Sequence, residues 1–196
     1  MATKKKQVKA KAKAKSASRP KAAPKKVAVK KVKAKPAKVN WRPKGYSTVT
    51  PALTVRGGAE AIEFYKKAFG AVEVYRMPGP DGKVMHAQIR IGDSALMLGE
   101  EAVSCGHVSP LTLNGTPFSL FIYVPDADAA FDQAIEAGAA IEQPVKDMFW
   151  GDRVGIVKDP FGHKWWIGTH KEELSGDEIR ARAEEAMAEH AATSGT

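Results

Sequence analysis

Two stretches of the chain repeat one pattern of apolar and polar positions. Residues 51–71 and residues 119–140 each begin with a short apolar run, pass through a turn of small residues, and continue with apolar residues three and four positions apart. This spacing predicts an amphipathic helix in each stretch. The predicted helices end at Gly70 and Gly138, because glycine readily adopts the left-handed conformation that closes a helix. Their apolar stripes are Ala61, Phe64, Tyr65 and Ala68 in the first, and Ala130, Phe131, Ala134 and Ile135 in the second.

Three further β-like runs follow each predicted helix. They read VEVYRM, VMHAQIRI and SALML in the first half, and AIEQPV, RVGIV and KWWIG in the second. The joints between them are rich in Gly and Asp, as is typical of turns. We therefore predict an α+β fold of two related βαβββ modules. After them, Ser175 and Glu178 match a capping box that opens a final helix.

Charge divides the chain at a different place. Residues 1–40 contain fifteen Lys, one Arg and no Asp or Glu, whereas the remaining residues contain 15 basic and 22 acidic side chains. A segment of Lys, Ala, Pro and Val without an apolar face cannot bury enough surface to offset its loss of chain entropy. We expect a disordered basic tail over residues 1–45, a globular domain over residues 46–172, and a C-terminal helix and tail over residues 173–196.

The basic tail predicts contact with polyanions. Lysines release counterions from the phosphate backbone, which gives binding that ignores base sequence. The residues expected to contact DNA or RNA in this way are Lys4, Lys5, Lys6, Lys25, Lys26, Lys30 and Lys31. The alternative is a tail that only keeps the protein in solution.

Cysteine usage and hydropathy indicate the compartment. A single cysteine, Cys105, excludes an internal disulfide and is typical of a reducing environment. No stretch has the continuous apolar core of a secretory signal or the length of a membrane span, so we expect no membrane partner. The expected location is the cytoplasm, or the nucleoid if the tail binds DNA there. Cys105 and His107, within the long loop that joins the modules, are a weak metal signal and are discounted.

Three segments together resemble the vicinal oxygen chelate superfamily, which includes glyoxalase I, extradiol dioxygenases, and fosfomycin- and bleomycin-resistance proteins. They are LTVRGGAEAIEFYKKAFGA, FIYVPDADAAFDQAIEAGA and GIVKDPFGHKWWIGTH. The segments VMHAQIRIGDSALML and THKEELSGDEIRAR are most similar to the PhnB-like branch. The resemblance covers about residues 46–190 and leaves out the basic tail. It implies two βαβββ modules whose curved mixed sheet surrounds a cavity, with modules paired within one chain or across a homodimer.

The resemblance also places the metal ligands of the superfamily. Metal-using members carry His or Glu on the first and last strand of each module, and those places fall here on Thr50, Met97, Ser119 and Trp166. Hydroxyl, thioether and indole groups are poor ligands for zinc and for harder divalent cations. The sequence therefore predicts no metal and no other cofactor.

Strand alternation nominates the residues of the cavity. In VMHAQIRI, Ala87 and Ile89 share one face, whereas His86, Gln88 and Arg90 share the other. The second face lines the cavity in the resembled fold. We expect His86 to act in acid–base catalysis, if any occurs, and Arg90 to orient an oxyanion. The remaining ligand-binding candidates are Gln88, Thr50, Ser119, Phe121, Tyr123, Trp150 and Trp166.

Several functions stay open at this point. The ligand is expected to be a small organic molecule, anionic or carbonyl-bearing, because Arg donates a planar fork and His exchanges a proton near neutral pH. The globular domain would either convert this ligand into a product or only sequester it, as resistance proteins do. The alternatives are a metal-dependent lyase or dioxygenase of the superfamily, or a nucleoid-associated DNA-binding protein. The polar strip could also face solvent, and the adjacent Trp165 and Trp166 could both be packing residues.

Overall fold

The computed structural model describes residues 39–79 and 81–194, and the described residues from Asn40 onward form one compact unit. The seven lysines predicted to contact nucleic acid lie outside the described residues. The first module contains β1 (Ala52–Val55), α1 (Gly58–Phe69), β2 (Val72–Pro78), β3 (Val84–Ile91) and β4 (Ser94–Glu100). The second contains β5 (Ser119–Tyr123), α3 (Ala127–Glu136), β6 (Ala140–Asp147), β7 (Asp152–Lys158) and β8 (Lys164–His170). The predicted α+β fold of two βαβββ modules is confirmed.

Both modules have the same sheet topology. The strand orders are β1-β4-β3-β2 and β5-β8-β7-β6, and in each sheet the first and last strands of the module pair in parallel at one edge. The register sets Ala52 beside Met97 and Phe121 beside Trp166. The other pairs are antiparallel, so each sheet is mixed.

The two helices start by different means. The backbone N–H groups of Gly57 and Gly58 at the start of α1 donate to the Glu100 carboxylate at the end of β4, both at 2.8 Å. In α3, Asp126 caps the helix itself by accepting from the Ala129 N–H at 3.0 Å. Gly70 follows α1 in the predicted left-handed conformation. A carboxylate also complements the partial positive charge of a helix N-terminus.

One hydrophobic core unites both modules. The helix-facing residues of each sheet are buried in a single cluster with α1 and α3, and these two helices pack on each other. Phe64, Tyr65 and Phe69 of α1 contact Phe161 and Trp165 of the second module, with ring centroids 4.5–6.1 Å apart. The first module therefore depends on the second for much of the apolar surface that α1 buries.

Asp159, in the turn between β7 and β8, is a polar joint within this core. Its carboxylate accepts from the Tyr65 hydroxyl at 2.8 Å and the Trp165 indole N–H at 2.9 Å, while its other oxygen accepts from the Phe161 and His163 backbone N–H groups. Burial, together with the adjacent Asp159 carboxylate, raises the pKa of Tyr65 well above its ordinary value. The buried His163 donates from Nε2 to the Thr54 carbonyl at 3.1 Å.

The segment between the modules is more ordered than a plain loop. It contains a single 3-10 turn (Val103–Cys105) and the short helix α2 (Pro110–Leu113). The Glu101 carboxylate fastens it by accepting from the Ser109 hydroxyl at 2.6 Å, the Ser109 N–H at 2.7 Å and the Thr112 hydroxyl at 2.9 Å. These hydrogen bonds lower the pKa of Glu101 from 4.5 to about 2.

The last element is α4 (Gly176–Ser194). Ser175 and Glu178 form the predicted capping box: the Ser175 N–H donates to the Glu178 carboxylate at 2.8 Å, and the Glu178 N–H donates to the Ser175 hydroxyl at 3.3 Å. Within residues 39–79 and 81–194, no helix combines the length and the apolar character that a membrane crossing requires.

Candidate functional site

Each sheet has one face against the helices and one face without them. Ala87 and Ile89, assigned to one face by alternation, are buried on the helix side, and so are Val55, Leu98 and Leu120. The opposite side of the first sheet, called here the first face, carries His86, Gln88, Arg90 and Met97. The opposite side of the second sheet, called here the second face, carries Phe121, Tyr123, Asp152, Trp166 and His170. The adjacent indoles separate accordingly: Trp165 is fully buried in the core, and Trp166 is part-buried on the second face.

A pocket of about 610 Å³ occupies one end of the first face. His86 and Met97 line it together with Thr54, and the loop residues Cys105 and His107 line its rim. His86 has a tilted contact with the Tyr75 ring at 6.4 Å. This pocket combines an imidazole with apolar walls, which is a common makeup of small-molecule sites.

At the other end of the first face, the polar side chains hydrogen-bond to other residues of the same chain. The Tyr46 hydroxyl donates to the Gln88 side-chain carbonyl. Arg90 donates to the carbonyl oxygens of Gly45 at 3.2 Å and Asp93 at 3.0 Å. The segment of residues 43–47, called here the strap, thus engages two of the predicted site residues. These two contacts use Nη1 and Nη2 of Arg90, the side chain predicted to orient an oxyanion.

Thr50 and Ser119 lie at the margins of the two sheets. Thr50 precedes β1, and its hydroxyl donates to the Ser47 carbonyl at 3.1 Å. Ser119 is exposed at the start of β5, beside Lys164. Neither residue is brought next to His86 or Trp166 by a hydrogen bond within the described part of the chain.

The second face carries an aromatic strip made of Trp166, Phe121 and Tyr123. Phe121 is stacked on Trp166 with centroids 6.1 Å apart and lies 4.7 Å from Tyr123. Phe121 covers Gly168, where an added Cβ would come within 2.8 Å of its ring. Phe121 is 41% exposed and Tyr123 is 65% exposed. The strip is therefore a mainly apolar surface that remains open to solvent in the single chain.

A buried carboxylate lies at the end of this strip. Asp152, the first residue of β7, is only 3% exposed. One of its oxygens accepts from the Tyr123 hydroxyl at 2.9 Å and the Trp150 indole N–H at 3.0 Å, and the other accepts from His170 Nδ1 at 2.7 Å. A buried charge requires such partners. Asp152 thereby fixes three side chains that would otherwise be independent.

The pKa values of this cluster follow from those contacts. Burial alone raises the pKa of Asp152, but hydrogen bonds from His170, Tyr123 and Trp150 outweigh burial and lower it below its ordinary value. The hydrogen bond to Asp152 raises the pKa of His170, and the nearby Glu173 adds to that effect. The hydrogen bond to Asp152 likewise raises the pKa of Tyr123. At neutral pH the cluster consequently holds a carboxylate beside a readily protonated imidazole and a neutral phenol.

The residues at the four positions where metal-using members of the resembled superfamily carry their ligands do not fit a metal centre. Thr50, Met97, Ser119 and Trp166 offer two hydroxyls, a thioether and an indole. Among the residues that the structure describes, no group of three or more His, Cys, Asp or Glu side chains has the geometry to hold a metal ion. Zinc and harder cations bind imidazole, thiolate or carboxylate instead.

A second, larger cavity of about 1030 Å³ follows the free edge of β5. Its walls include residues 120–126, the β3–β4 turn and the C-terminal end of α1. Arg153 points to the helix side and donates to both Asp128 carboxylate oxygens, at 2.6 and 2.7 Å. Trp150 lies beside the second face, where its indole N–H donates to Asp152.

Sequence reasoning named Tyr123 and Trp150 but missed the group that joins them. Neither Asp152 nor His170 is among the residues that the sequence predicts to bind a ligand. The signal was available in part: alternation through RVGIV and KWWIG sets Asp152 and His170 on the face of Trp166. Their pairing depends on the β7–β8 register, which sets Asp152 opposite His170.

Comparison with known proteins agrees with this geometry. Residues 48–167 match the family model of the Glyoxalase/Bleomycin resistance protein/Dioxygenase superfamily. An uncharacterized protein of Mycobacterium bovis is 46% identical over 136 residues, which cover 68% of this chain and 90% of that protein. The crystal structure of TioX from Micromonospora is similar at 28% identity and a TM-score of 0.51, covering 63% of this chain and 98% of TioX. The PhnB protein of Bacillus cereus, at 19% identity, 63% and 99% coverage and a TM-score of 0.50, shares the fold.

Proposed function

The chain belongs to the glyoxalase/bleomycin resistance/dioxygenase superfamily, and from this membership we propose that its folded body binds a small organic molecule without a metal centre. The observation that carries the proposal is the aromatic strip of the second face with the buried Asp152 at its end. Pockets for small molecules combine apolar and aromatic walls with a few oriented polar groups. The absence of a metal centre from this proposal is supported by Thr50, Met97, Ser119 and Trp166, which are poor metal ligands at the positions of the superfamily's metal-binding residues.

The first face contributes a second set of contacts in this proposal. His86, beside the pocket of about 610 Å³, is the group available there for acid–base chemistry or for a hydrogen bond to a carbonyl. Arg90 and Gln88 support the strap, so their role is to position residues 43–47 rather than to contact the ligand directly. Whether the bound molecule is converted or only sequestered is decided by product analysis.

We propose further that the working form is a homodimer in which a second copy covers the exposed faces. Phe121, Tyr123, Val72 and Ile141 are each more than 40% exposed, and β5 has a free edge. Apolar faces and unpaired strand edges of this kind favour association. A cavity closed by a second copy would also exclude water from the aromatic strip.

Native mass spectrometry of the protein purified from its source tests these points in one measurement. We expect a dimer mass, a co-purified organic ligand and no stoichiometric metal. Thermal-shift screening then compares wild type with His86→Ala and Trp166→Ala, each of which should reduce the stabilisation by the ligand. A stoichiometric metal held by the body would overturn the metal-free proposal and restore a lyase or dioxygenase function.

The charge of residues 1–40 favours a second function, non-specific binding of DNA or RNA and, through it, association with the nucleoid. Sixteen basic and no acidic side chains in this segment suit the counterion-release mechanism. A mobility-shift titration of the full chain against a 41–196 truncation is the test, because residues 40–196 contain the whole core. We expect binding by the full chain that weakens steeply with salt, and equal binding by both proteins would exclude the tail.

A further inference from the structure

Trp41, which lies just before the strap, is a large aromatic side chain that the folded part of the chain leaves open. It is 80% exposed, whereas Trp150, Trp165 and Trp166 are buried or part-buried. An indole has a broad apolar face and is enriched where proteins contact other molecules. The surroundings of Trp41 therefore decide what kind of partner it suits.

The chain that carries Trp41 is anchored to the first face. Arg90 donates to the Gly45 carbonyl, and the Tyr46 hydroxyl donates to the side chain of the β3 residue Gln88. The Tyr46 N–H also donates to the Pro43 carbonyl at 3.3 Å and closes a turn. Because this segment is already held, less conformational freedom is lost when Trp41 meets a partner.

The charges along this part of the chain are basic. Sixteen basic side chains precede Trp41, Arg42 and Lys44 follow it and are exposed, and the first acidic residue of the chain is Glu60. Asp93, whose backbone lies next to the strap, adds a single negative charge. The partner of Trp41 is therefore expected to be an anion.

Arg42 gives the indole a paired cation. Its guanidinium carbon lies 5.7 Å from the centroid of the Trp41 ring, a cation–π arrangement. The donors at the edge of the guanidinium plane still point away from the ring and are suited to a phosphate. An aromatic face and a phosphate-binding group are thus set side by side.

We propose that Trp41 and Arg42 bind an unpaired nucleic-acid strand. One base stacks on the indole, Arg42 pairs with the adjacent phosphate, and the lysines of residues 1–40 neutralise the phosphates that follow. Stacking of this kind tolerates any base sequence, because every base has a π face. The inference rests on the proposed binding of DNA or RNA by the basic tail and adds to it a contact made only with single strands.

An unpaired strand fits this pair of side chains better than a duplex does. Both forms offer phosphates, so the lysines alone do not distinguish them. In a duplex each base face is covered by its neighbours, and a side chain reaches it only by opening a base step at a cost in free energy. The exposed indole therefore contributes to binding where bases are already unstacked.

A lipid surface is the other polyanion that suits an indole among lysines. Binding in the plane of a membrane is typically carried by an amphipathic helix with a continuous apolar face. Residues 39–50, all of which the structure describes, form turns and bends and no helix. The local geometry consequently favours stacking of a single base over insertion into a bilayer.

The test uses the full chain and three labelled probes: a mixed-sequence DNA strand, the RNA strand of the same sequence, and the DNA duplex. Fluorescence anisotropy should show that Trp41→Ala weakens strand binding about tenfold and duplex binding less than about twofold. Trp41→Phe retains an aromatic ring and should recover part of the loss. Val39→Ala is the matched control, since Val39 is 87% exposed in the same segment but has no ring, and it should change neither affinity.

Salt dependence separates stacking from charge. Lys44→Gln should weaken strand and duplex alike and reduce the slope of log K against log salt by about 0.7 for the strand and about 0.9 for the duplex. Trp41→Ala should leave that slope unchanged, because stacking on an indole releases no counterion. A reduced slope in Trp41→Ala would show that this residue acts only by positioning the cations, and would overturn the inference.

Two further results would also overturn it. One is an equal loss of strand and duplex binding, or no loss at all, in Trp41→Ala. The other is quenching of Trp41 emission by vesicles of phosphatidylserine and phosphatidylcholine but not by the DNA or RNA strand. In the case of no loss, binding of all three probes by the full chain leaves the function of the basic tail standing, whereas failure to bind any of them removes both proposals.

Discussion

The first and second faces are built on one topology but use their polar residues in different ways. On the first face, Gln88 and Arg90 hydrogen-bond to the strap formed by residues 43–47. On the second face, Asp152 gathers Tyr123 and His170 beside an open aromatic strip. The two modules thus have equivalent surfaces, and on the first face the polar side chains hydrogen-bond to another segment of the same chain. A side chain that already has a partner in its own chain is a poor candidate for binding a ligand, because that contact must first be broken.

Substitutions in the core that the two modules share should cause the largest loss of stability. Asp159→Ala would leave four donors without their acceptor inside the core, from Tyr65, Trp165 and the backbone of Phe161 and His163. We expect the free energy of unfolding to fall by about 3–5 kcal/mol. Urea denaturation followed by tryptophan fluorescence measures it. The exposed Asp132→Ala is the control, and a loss below about 1 kcal/mol would show that the modules do not depend on this joint.

The second face should be sensitive to Asp152→Ala, though less so. Tyr123 and His170 are partly exposed and regain water as a partner, so the cost is the lost charge-assisted hydrogen bonds, about 2–3 kcal/mol. Asp147→Ala, whose side chain is 79% exposed, should change stability by less than about 0.5 kcal/mol. Equal effects of the two substitutions in thermal or urea unfolding would contradict a structured cluster on the second face.

The contribution of His170 to this cluster should also depend on pH. The hydrogen bond to Asp152 raises the pKa of His170 above its ordinary value of 6.5 in the folded protein. Its stabilising contribution is therefore fully present below pH 6.5 and is lost as the pH rises through the folded-state pKa. The difference in melting temperature between wild type and His170→Asn should shrink from pH 6 upward, and a difference that grows with pH would contradict the assignment.

The strap of the first face should respond to Gly45→Ala. Gly45 has φ of 86°, and an added Cβ would come within 2.5 Å of Arg90 Nη2. We expect about 1 kcal/mol of destabilisation and faster tryptic cleavage after Lys44, since the strap would be displaced. Gly82→Ala also has a positive φ but meets no neighbour within 4 Å, so it should leave cleavage at Lys44 unchanged. If both variants are cleaved at the wild-type rate, the strap does not cover the first face.

The smallest effect concerns Glu101, in the segment that joins the two modules. Its pKa of about 2 in the folded protein lies below the ordinary 4.5, so its hydrogen bonds stabilise the fold above pH 4.5 and lose that effect as the pH falls toward 2. Glu101→Gln should therefore lower the melting temperature slightly at neutral pH and by less at low pH. A constant difference across this range would show that the charge of Glu101 has no role.

Strand alternation was enough to separate the two faces of the sheets. It set Ala87 and Ile89 against His86, Gln88 and Arg90, and it divided Trp165 from Trp166, because successive side chains in a strand point to opposite sides. It could not tell which polar side chains remain available. The Arg90 partners, Gly45 and Asp93, are backbone carbonyls that any sequence would provide.

The sequence by itself determined the two βαβββ modules, the end of α1 at Gly70, the capping box of α4 and the family, because these follow from periodicity and from residues close together in the chain. Tertiary structure alone decided that Asp159 joins the modules, that residues 43–47 cover the first face, and that Asp152 meets Tyr123 and His170. These contacts join residues between 18 and 94 positions apart. Local preference does not encode them, because they depend on strand register and on the packing of one module against the other.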